Sequence, residues 1–210
     1  RGLGDVYKRQ DGATNPSATA VLEQYGVINR IDIADGGADY SSTPTATVDA
    51  PATFSFNTFS DISGSTISIP DNPFTNGLRL VYSTASGSEN TNLVDGNTYY
   101  VVNSVGNSFG LANSQGGSAI SLSQSADDTS AESHSLTGVT ATVTLTQSGG
   151  EITGITINDQ GTLYDGNSLP SITIDEAGQT THATLTVFCG RSLSSISIGS
   201  RGSGYTSAPT

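Results

Sequence analysis

The chain has 210 residues, 34% of them hydrophobic and 12% charged, with a formal net charge of −12, which suits one to three small domains. Thr, Ser, Ile, Val and Gly dominate and Met and Trp are absent, a composition that excludes a helical bundle or coiled coil. Beyond residue 10 the basic side chains are Arg30, Arg79, Arg191 and Arg201 alone. They are too few to neutralise a phosphate backbone, so no nucleic-acid partner is expected. No apolar run reaches the ~18 residues of a membrane-spanning helix, and the single Cys189 excludes an internal disulfide framework.

Arg1 to Gln10 carries the only lysine, Lys8, and the composition changes abruptly at Asp11. This stretch resembles the translation of a transposase-type sequencing adapter, whose codons CGT GGG CTC GGA GAT GTG TAT AAG AGA CAG encode it residue for residue. The resemblance implies a gene fragment assembled from environmental DNA, and residues 1–10 are set aside from fold reasoning.

The first structured pattern is a strand, Ala18-Thr-Ala-Val21, followed by Ile28-Asn-Arg-Ile31-Asp-Ile33, Gly37, Tyr40 and Pro44. From Ala52 to Thr137 the pattern changes. Short alternating runs at Thr66–Ile69, Gly77–Tyr82, Asp95–Val102, Asn107–Leu111 and Ala119–Leu122 are separated by turn residues, as in a small antiparallel sandwich or barrel. Ser123–Ser135 is polar, with Asp127, Asp128 and Glu132, and reads as a loop or linker. The first pattern then returns as Ala141–Leu145 and Ile152-Thr-Gly-Ile155-Thr-Ile157, with Gly161, Tyr164 and Pro170. It returns again as Ala183–Val187 and Leu193-Ser-Ser-Ile196-Ser-Ile198, with Gly202, Tyr205 and Pro209.

The spacing is shared. Glycine falls four residues, and tyrosine seven, after the last apolar residue of each triplet. Triplets alternating with polar residues specify strands with one buried face. Gly37, Gly161 and Gly202 are placed to supply positive φ in a turn. Tyr40, Tyr164 and Tyr205 are expected to pack their rings over the strand with the hydroxyl at the wet edge. Pro44, Pro170 and Pro209 open the next extended segment. A unit of ~35–40 residues cannot bury its apolar face alone and needs neighbours.

The phrase Gly202-Ser-Gly-Tyr205-Thr-Ser-Ala-Pro209-Thr, after a Leu-x-x-Ile-x-Ile strand, resembles the GGSGYTSAPT-type repeat of tailed-phage virion structural proteins of the fibre and baseplate kind. The runs Asn76–Tyr82, Leu93–Val101 and Asn107–Phe109 are similar to a second small β-module found in such proteins. Together they cover most of residues 18–210. The first repeat departs from the pattern at Ala38-Asp39 and the second at Thr162-Leu163. Large bacterial surface proteins carry similar repeats, and the resemblance brings no catalytic residues with it.

Several groups invite a chemical reading. Asp35–Asp39, Asp95–Asn97 and Asn158–Gly161 are oxygen-rich fragments reminiscent of calcium loops, but none completes a ligand spacing, and Asp, Asn and Gly are ordinary turn formers. His134 and His182 lack a third group to make a metal site or a catalytic base, and read as surface or edge residues. Cys189 ends an apolar strand with only Arg191 and His182 near it in sequence, which suits a half-buried structural thiol. The carboxylate pairs Asp127/Asp128 and Asp175/Glu176 read as solvated surface. Tyr99 and Tyr100 face opposite sides of one strand, so one is core; for the other, an exposed ring that stacks on a sugar is the lesser reading.

These observations predict an all-β chain of tandem small antiparallel β-repeats with an inserted small β-sandwich or barrel module. The segments are 1–10 (adapter), 11–52 (first repeat), 53–136 (inserted module), 137–178 (second repeat) and 179–210 (third repeat). The expected role is a non-enzymatic structural or receptor-binding segment of a phage virion appendage, the alternative a secreted bacterial adhesin or surface repeat protein. A polysaccharide-active enzyme ranks third, for want of convergent acid, base and aromatic residues. No metal or cofactor is expected. Partners would be other virion proteins or host-surface glycans, without membrane insertion, and a homo-oligomer is compatible with this. Recognition would fall to the loops Ser83–Asn92 and Asn113–Ser118.

Overall fold

The computed structural model describes residues 17–84, 92–123, 134–175, 181–200 and 203. Those residues contain no helix. Their strands are β1 (Ser17–Asp35), β2 (Thr45–Val48), β3 (Thr53–Phe56), β4 (Ile62–Ser63), β5 (Thr66–Ser68), β6 (Arg79–Thr84) and β7 (Thr98–Val105), followed by β8 (Ser108–Ala112), β9 (His134–Gly138), β10 (Thr142–Ser148), β11 (Glu151–Asp159), β12 (Tyr164–Asp165), β13 (Ile172–Asp175) and β14 (Thr184–Ser200). The chain is all-β, in several antiparallel sheets. The three positions Gly202, Tyr205 and Pro209, the adapter-like stretch 1–10, Asp127, Asp128, Glu132 and Glu176 lie outside the described residues.

The inserted module is one seven-stranded sheet in the order β3-β9-β6-β7-β8-β5-β4. Its outermost strands, β3 and β4, are consecutive in the chain, joined by residues 57–61. A flat sheet would hold them about 29 Å apart at ~4.8 Å per strand interval, whereas the connection spans at most about 21 Å. The sheet therefore rolls. Phe56 from one edge and Ile62 and Ile67 from the other share a single core with Leu80, Tyr82, Val101, Phe109, Leu111 and Leu136. The turn is pinned locally: Asn57 Oδ1 accepts the Phe59 N–H at 2.7 Å, and Asp61 Oδ2 accepts the Asn57 N–H at 2.8 Å. The expected sandwich or barrel module takes the form of one rolled sheet that is not a closed barrel, its two-residue edge strand β4 pairing, among the described residues, with β5.

The repeats pair in a way their order along the chain does not anticipate. β10 and β11 form a tight hairpin across Gly149-Gly150, both with positive φ (65° and 88°), as a two-residue hairpin turn requires. β1 and β14 hold the corresponding stretches of the first and third repeats, yet each runs straight through, and they lie side by side in one sheet. The approaches of Ala38 to Thr181, Asn29 to Gly190 and Ser17 to Gly199 fix an antiparallel sense. The physical reason is in the turn. Ala141 precedes Ile152 by 11 positions, while Ala18 precedes Ile28, and Ala183 precedes Leu193, by only 10. Each lacks one residue of the Gly-Gly turn, and a shortened hinge favours pairing with another strand over folding back. The later part of β1 therefore pairs with the early part of β14.

The chain divides into two compact units, Gln24–Gly190 and a second made of the residues up to Glu23 and those from Arg191 onward. Within Gln24–Gly190 the β10–β11 hairpin and the β1–β14 ladder are related by a reciprocal set of bonds. Ile28 donates its N–H to Gln160 O (3.0 Å) and Ile152 donates its own to Gly36 O (2.9 Å). The strands that follow, β2 and β13, pair with each other, Val48 opposite Ile172 and Ala46 opposite Ile174. Ile28, Ile31, Val48, Ala141, Tyr164 and Val187 close one core between these layers, and Tyr40, Leu145 and Ile152 a second.

A Cβ built on Gly190 lies 3.2 Å from that of Asn29, near the ~3.8 Å of a disulfide. Asn29→Cys with Gly190→Cys, in a Cys189→Ser background, is expected to oxidise to an intrachain bond, read by mass spectrometry. Were the first repeat folded back as its own hairpin, Asn29 would face the strand before Gly26 and no such bond would form.

Candidate functional site

The residues that recur in the repeats build a clasp. In the second repeat, Asp159 Oδ1 accepts the Gly161 N–H at 2.9 Å, closing the turn. Thr162 donates its N–H to Val139 O (2.9 Å). The Tyr164 hydroxyl accepts the Ala141 N–H at 2.8 Å and donates to Asp49 O at 3.2 Å. In the first repeat the same parts reappear. Asp35 Oδ1 accepts the Gly37 N–H at 2.8 Å, Ala38 donates to Thr181 O at 3.0 Å, and the Tyr40 hydroxyl accepts the Ala183 N–H at 2.8 Å. Tyr40 and Tyr164 are both buried, so the expectation of hydroxyls at a wet edge is corrected: each satisfies a backbone amide at the start of a strand. Burial pushes the Tyr164 phenol above its ordinary value.

The glycines are required by both conformation and space. Gly37 and Gly161 have φ of 68° and 66°, and a Cβ there would meet Thr181 O or Val139 O at 2.6 Å and the edge of the clasp tyrosine at 2.8 or 2.7 Å. Two residues before each of these glycines, and five before each tyrosine, lies a second element of the pattern, the carboxylate acceptors Asp35 and Asp159, which their oxygen-rich turns do not single out in the sequence. Asp39 and Leu163, one before each tyrosine, also hold left-handed φ of 65° and 58°. Pro44 is buried immediately before β2, and Pro170 is half-buried two residues before β13.

The second clasp is tied to the rolled sheet. Arg79 on β6 makes a two-pronged ion pair with Asp159, at 2.7 and 2.5 Å, and Thr162 Oγ1 accepts the Val139 N–H while donating to Arg79 O, both at 2.8 Å. The guanidinium hydrogen bonds hold the Asp159 carboxyl below the usual carboxylate range.

Beside Tyr164 lies a groove of about 350 Å³, lined by Tyr25, Asp49, Pro51, Asp165, Leu169 and Pro170 among others. Its carboxylates already hold structure: Asp49 Oδ2 accepts the Ser171 N–H at 3.0 Å, and Asp165 accepts from Gln24 Nε2 and the Asn167 N–H.

The other singled-out residues fall as follows. Asp95 Oδ1 accepts the Thr84 N–H (3.0 Å), and no group of three or more potential metal ligands occurs among the described residues. His134 is corrected from a surface residue to a core one: it is fully buried on β9, 2.7 Å from the Tyr82 hydroxyl through Nδ1 and stacked on that ring. β9 also ends the predicted linker at His134. His182 is exposed, and Cys189 half-buried against the core. Tyr99 is buried with its hydroxyl accepting the Val94 N–H at 2.8 Å, while Tyr100 is half-buried. Asp175 is exposed at the end of β13.

Comparison with protein-family models, with curated proteins and with solved structures yields no match.

Removing the Tyr164 hydroxyl leaves a buried amide without its acceptor, so Tyr164→Phe should cost about 1–3 kcal/mol in chemical denaturation. Gly161→Ala should cost more than about 2 kcal/mol, through left-handed strain and the carbonyl clash together. Equal stability of both variants and the parent protein would remove the clasp from the account of the fold. A second expectation concerns pH. The folded Asp159 carboxyl titrates below its unfolded value, so its stabilisation is complete above about pH 4 and fades as pH falls through the folded value. The pair is about one-third exposed, which limits the contribution to about 1 kcal/mol. Arg79→Ala should flatten that part of the acid-unfolding profile.

Proposed function

We propose that the chain is a non-enzymatic structural or receptor-binding segment of a tailed-phage virion appendage, of the fibre or baseplate kind. The observation that carries this reading is the destination of the repeated residues. Asp35/Asp159, Gly37/Gly161 and Tyr40/Tyr164 close backbone turns onto neighbouring strands, so what distinguishes the repeat is spent on holding a β-scaffold together. The resemblance of Gly202–Thr210 to a virion repeat gives the setting. Surfaces left for partners are rich in Ser, Thr, Asn and acidic groups, which suits neighbouring virion proteins or host-surface glycans.

Recognition is assigned to loops of the rolled sheet. Asn113–Ser118 is an exposed turn after β8, closed by Gly117 N–H to Ser114 O at 3.0 Å. Of Ser83–Asn92, residues 85–91 lie outside the described residues. Loops on a rigid scaffold are the usual carriers of specificity.

The test replaces Asn113–Ser118 by a short Gly-Ser turn in the parent protein and counts particle attachment to host cells. Reduced attachment with normal particle assembly is expected. Capsid and tail genes should flank the coding region in long-read sequencing. Secretion genes there would move the assignment to a bacterial surface protein, and measurable glycan turnover by the purified chain would overturn the non-enzymatic reading.

A further inference from the structure

The unit formed by residues up to Glu23 and from Arg191 onward contains a third copy of the apolar face that the other two copies bury. Leu193 holds the position of Ile28 and Ile152 in the triplet, Ile196 that of Ile31 and Ile155, and Leu22 that of Leu145 and Val187. The counterparts are in the core: Ile28 is 0% and Ile152 2% exposed, whereas Leu193 is 50%. Ile31 is 7% exposed and Ile196 62%. Ile198 and Leu22 are exposed as well. Several large aliphatic side chains left in water within one short pair of strand ends are unusual for a finished surface and mark an interaction site.

The molecule itself displays what covers such a face. Within Gln24–Gly190, two copies of it cover each other, and they do so reciprocally. Ile28 donates to Gln160 O, the residue before the clasp glycine of the other copy, and Ile152 donates to Gly36 O, the residue before Gly37. The aliphatic rows meet in the shared cores. A reciprocal contact of like with like is isologous: the same surface serves as both partners. A face that satisfies that rule can be closed by an identical face from another molecule, with no further surface needed.

We propose that the chain self-associates through the exposed row Leu22, Leu193, Ile196 and Ile198, a second copy of this chain supplying the matching row about a two-fold axis. The inference stands apart from the functional reading above, since it uses only the internal equivalence of the repeats.

The experiment uses the full chain in sedimentation velocity over a concentration series. A mass approaching twice 21.4 kDa is expected at about 100 µM, falling towards the single-chain mass on dilution, as mass action requires. Ile196→Lys with Ile198→Lys should sediment as a single chain at every concentration. Its near-ultraviolet circular dichroism should keep the folded signal of Gln24–Gly190, which holds six of the eight tyrosines. Hydrogen exchange gives a second readout that needs no variant: the Leu193 amide should exchange at least tenfold more slowly at high than at low concentration. A wild-type chain that remains single at about 100 µM, a dimer that survives both lysines, or a Leu193 amide whose exchange ignores concentration would each overturn the proposal.

Discussion

A tyrosine hydroxyl that accepts a backbone amide from a strand other than its own is the interaction on which the repeat depends. A strand that begins inside a β-layer brings an N–H with it, and if that N–H has no acceptor the loss is about 1–3 kcal/mol. Ala141 and Ala183 are such positions, met by Tyr164 and Tyr40. To reach them, each ring must lie across the turn that precedes it, and that requires a glycine beneath the ring and a carboxylate to hold the turn shut. The spacing of Asp, Gly and Tyr is therefore one geometric requirement seen at three positions. It explains why these residues recur while the strands around them vary in everything but their apolar alternation.

The exchange between β1 and β14 follows from a smaller cause, one residue. The β10–β11 hairpin has room for two glycines with positive φ; its counterparts have a single residue in that place. Turn geometry sets register, so the shortened versions cannot fold back and keep their apolar rows on the same face. The rows are preserved by pairing across repeats instead. Arg30 marks the join, its guanidinium 3.9 Å above the Phe188 ring. The clasps then follow the pairing rather than the chain order: Tyr40, after β1, closes on the start of β14, the strand beside β1 and 143 residues away, while Tyr164 closes on the start of β10, 23 residues away.

The rolled sheet is attached to this framework by polar contacts with definite geometry. Arg79 and Asp159 face each other in a fork, and Asp159 serves the Gly161 turn with the same oxygen that meets Arg79. The sheet thus steadies the second clasp. Nearby, Tyr25 packs edge-on to Phe54, which continues through Phe74 to Phe109 in a chain of perpendicular rings. An exposed turn such as Asn113–Ser118 is carried on this support, on a sheet whose curvature is imposed by the short link between β3 and β4.

Strand character, the absence of helix and the shared Gly and Tyr spacing were all legible in the sequence, because alternation and turn chemistry are local properties expressed over a few residues. The first and second repeats share their register through Ile31-Asp-Ile33 and Ile155-Thr-Ile157. The partner of each strand was not legible. Which edge a strand meets depends on the whole set of edges competing for it, and on a turn one residue too short to compete. The burial of His134 is hidden from the sequence for a related reason: it sits at the end of a polar stretch, and only the pairing of β9 with β3 and β6 carries it into the core beside Tyr82, 52 residues away. Arg79 and Asp159, 80 residues apart, carry no local mark of their pairing. The sequence by itself determined the class of fold and the parts of the clasp; tertiary structure alone decided which strands the clasps close upon, because hydrogen-bonding edges are chemically alike and only three-dimensional packing tells them apart.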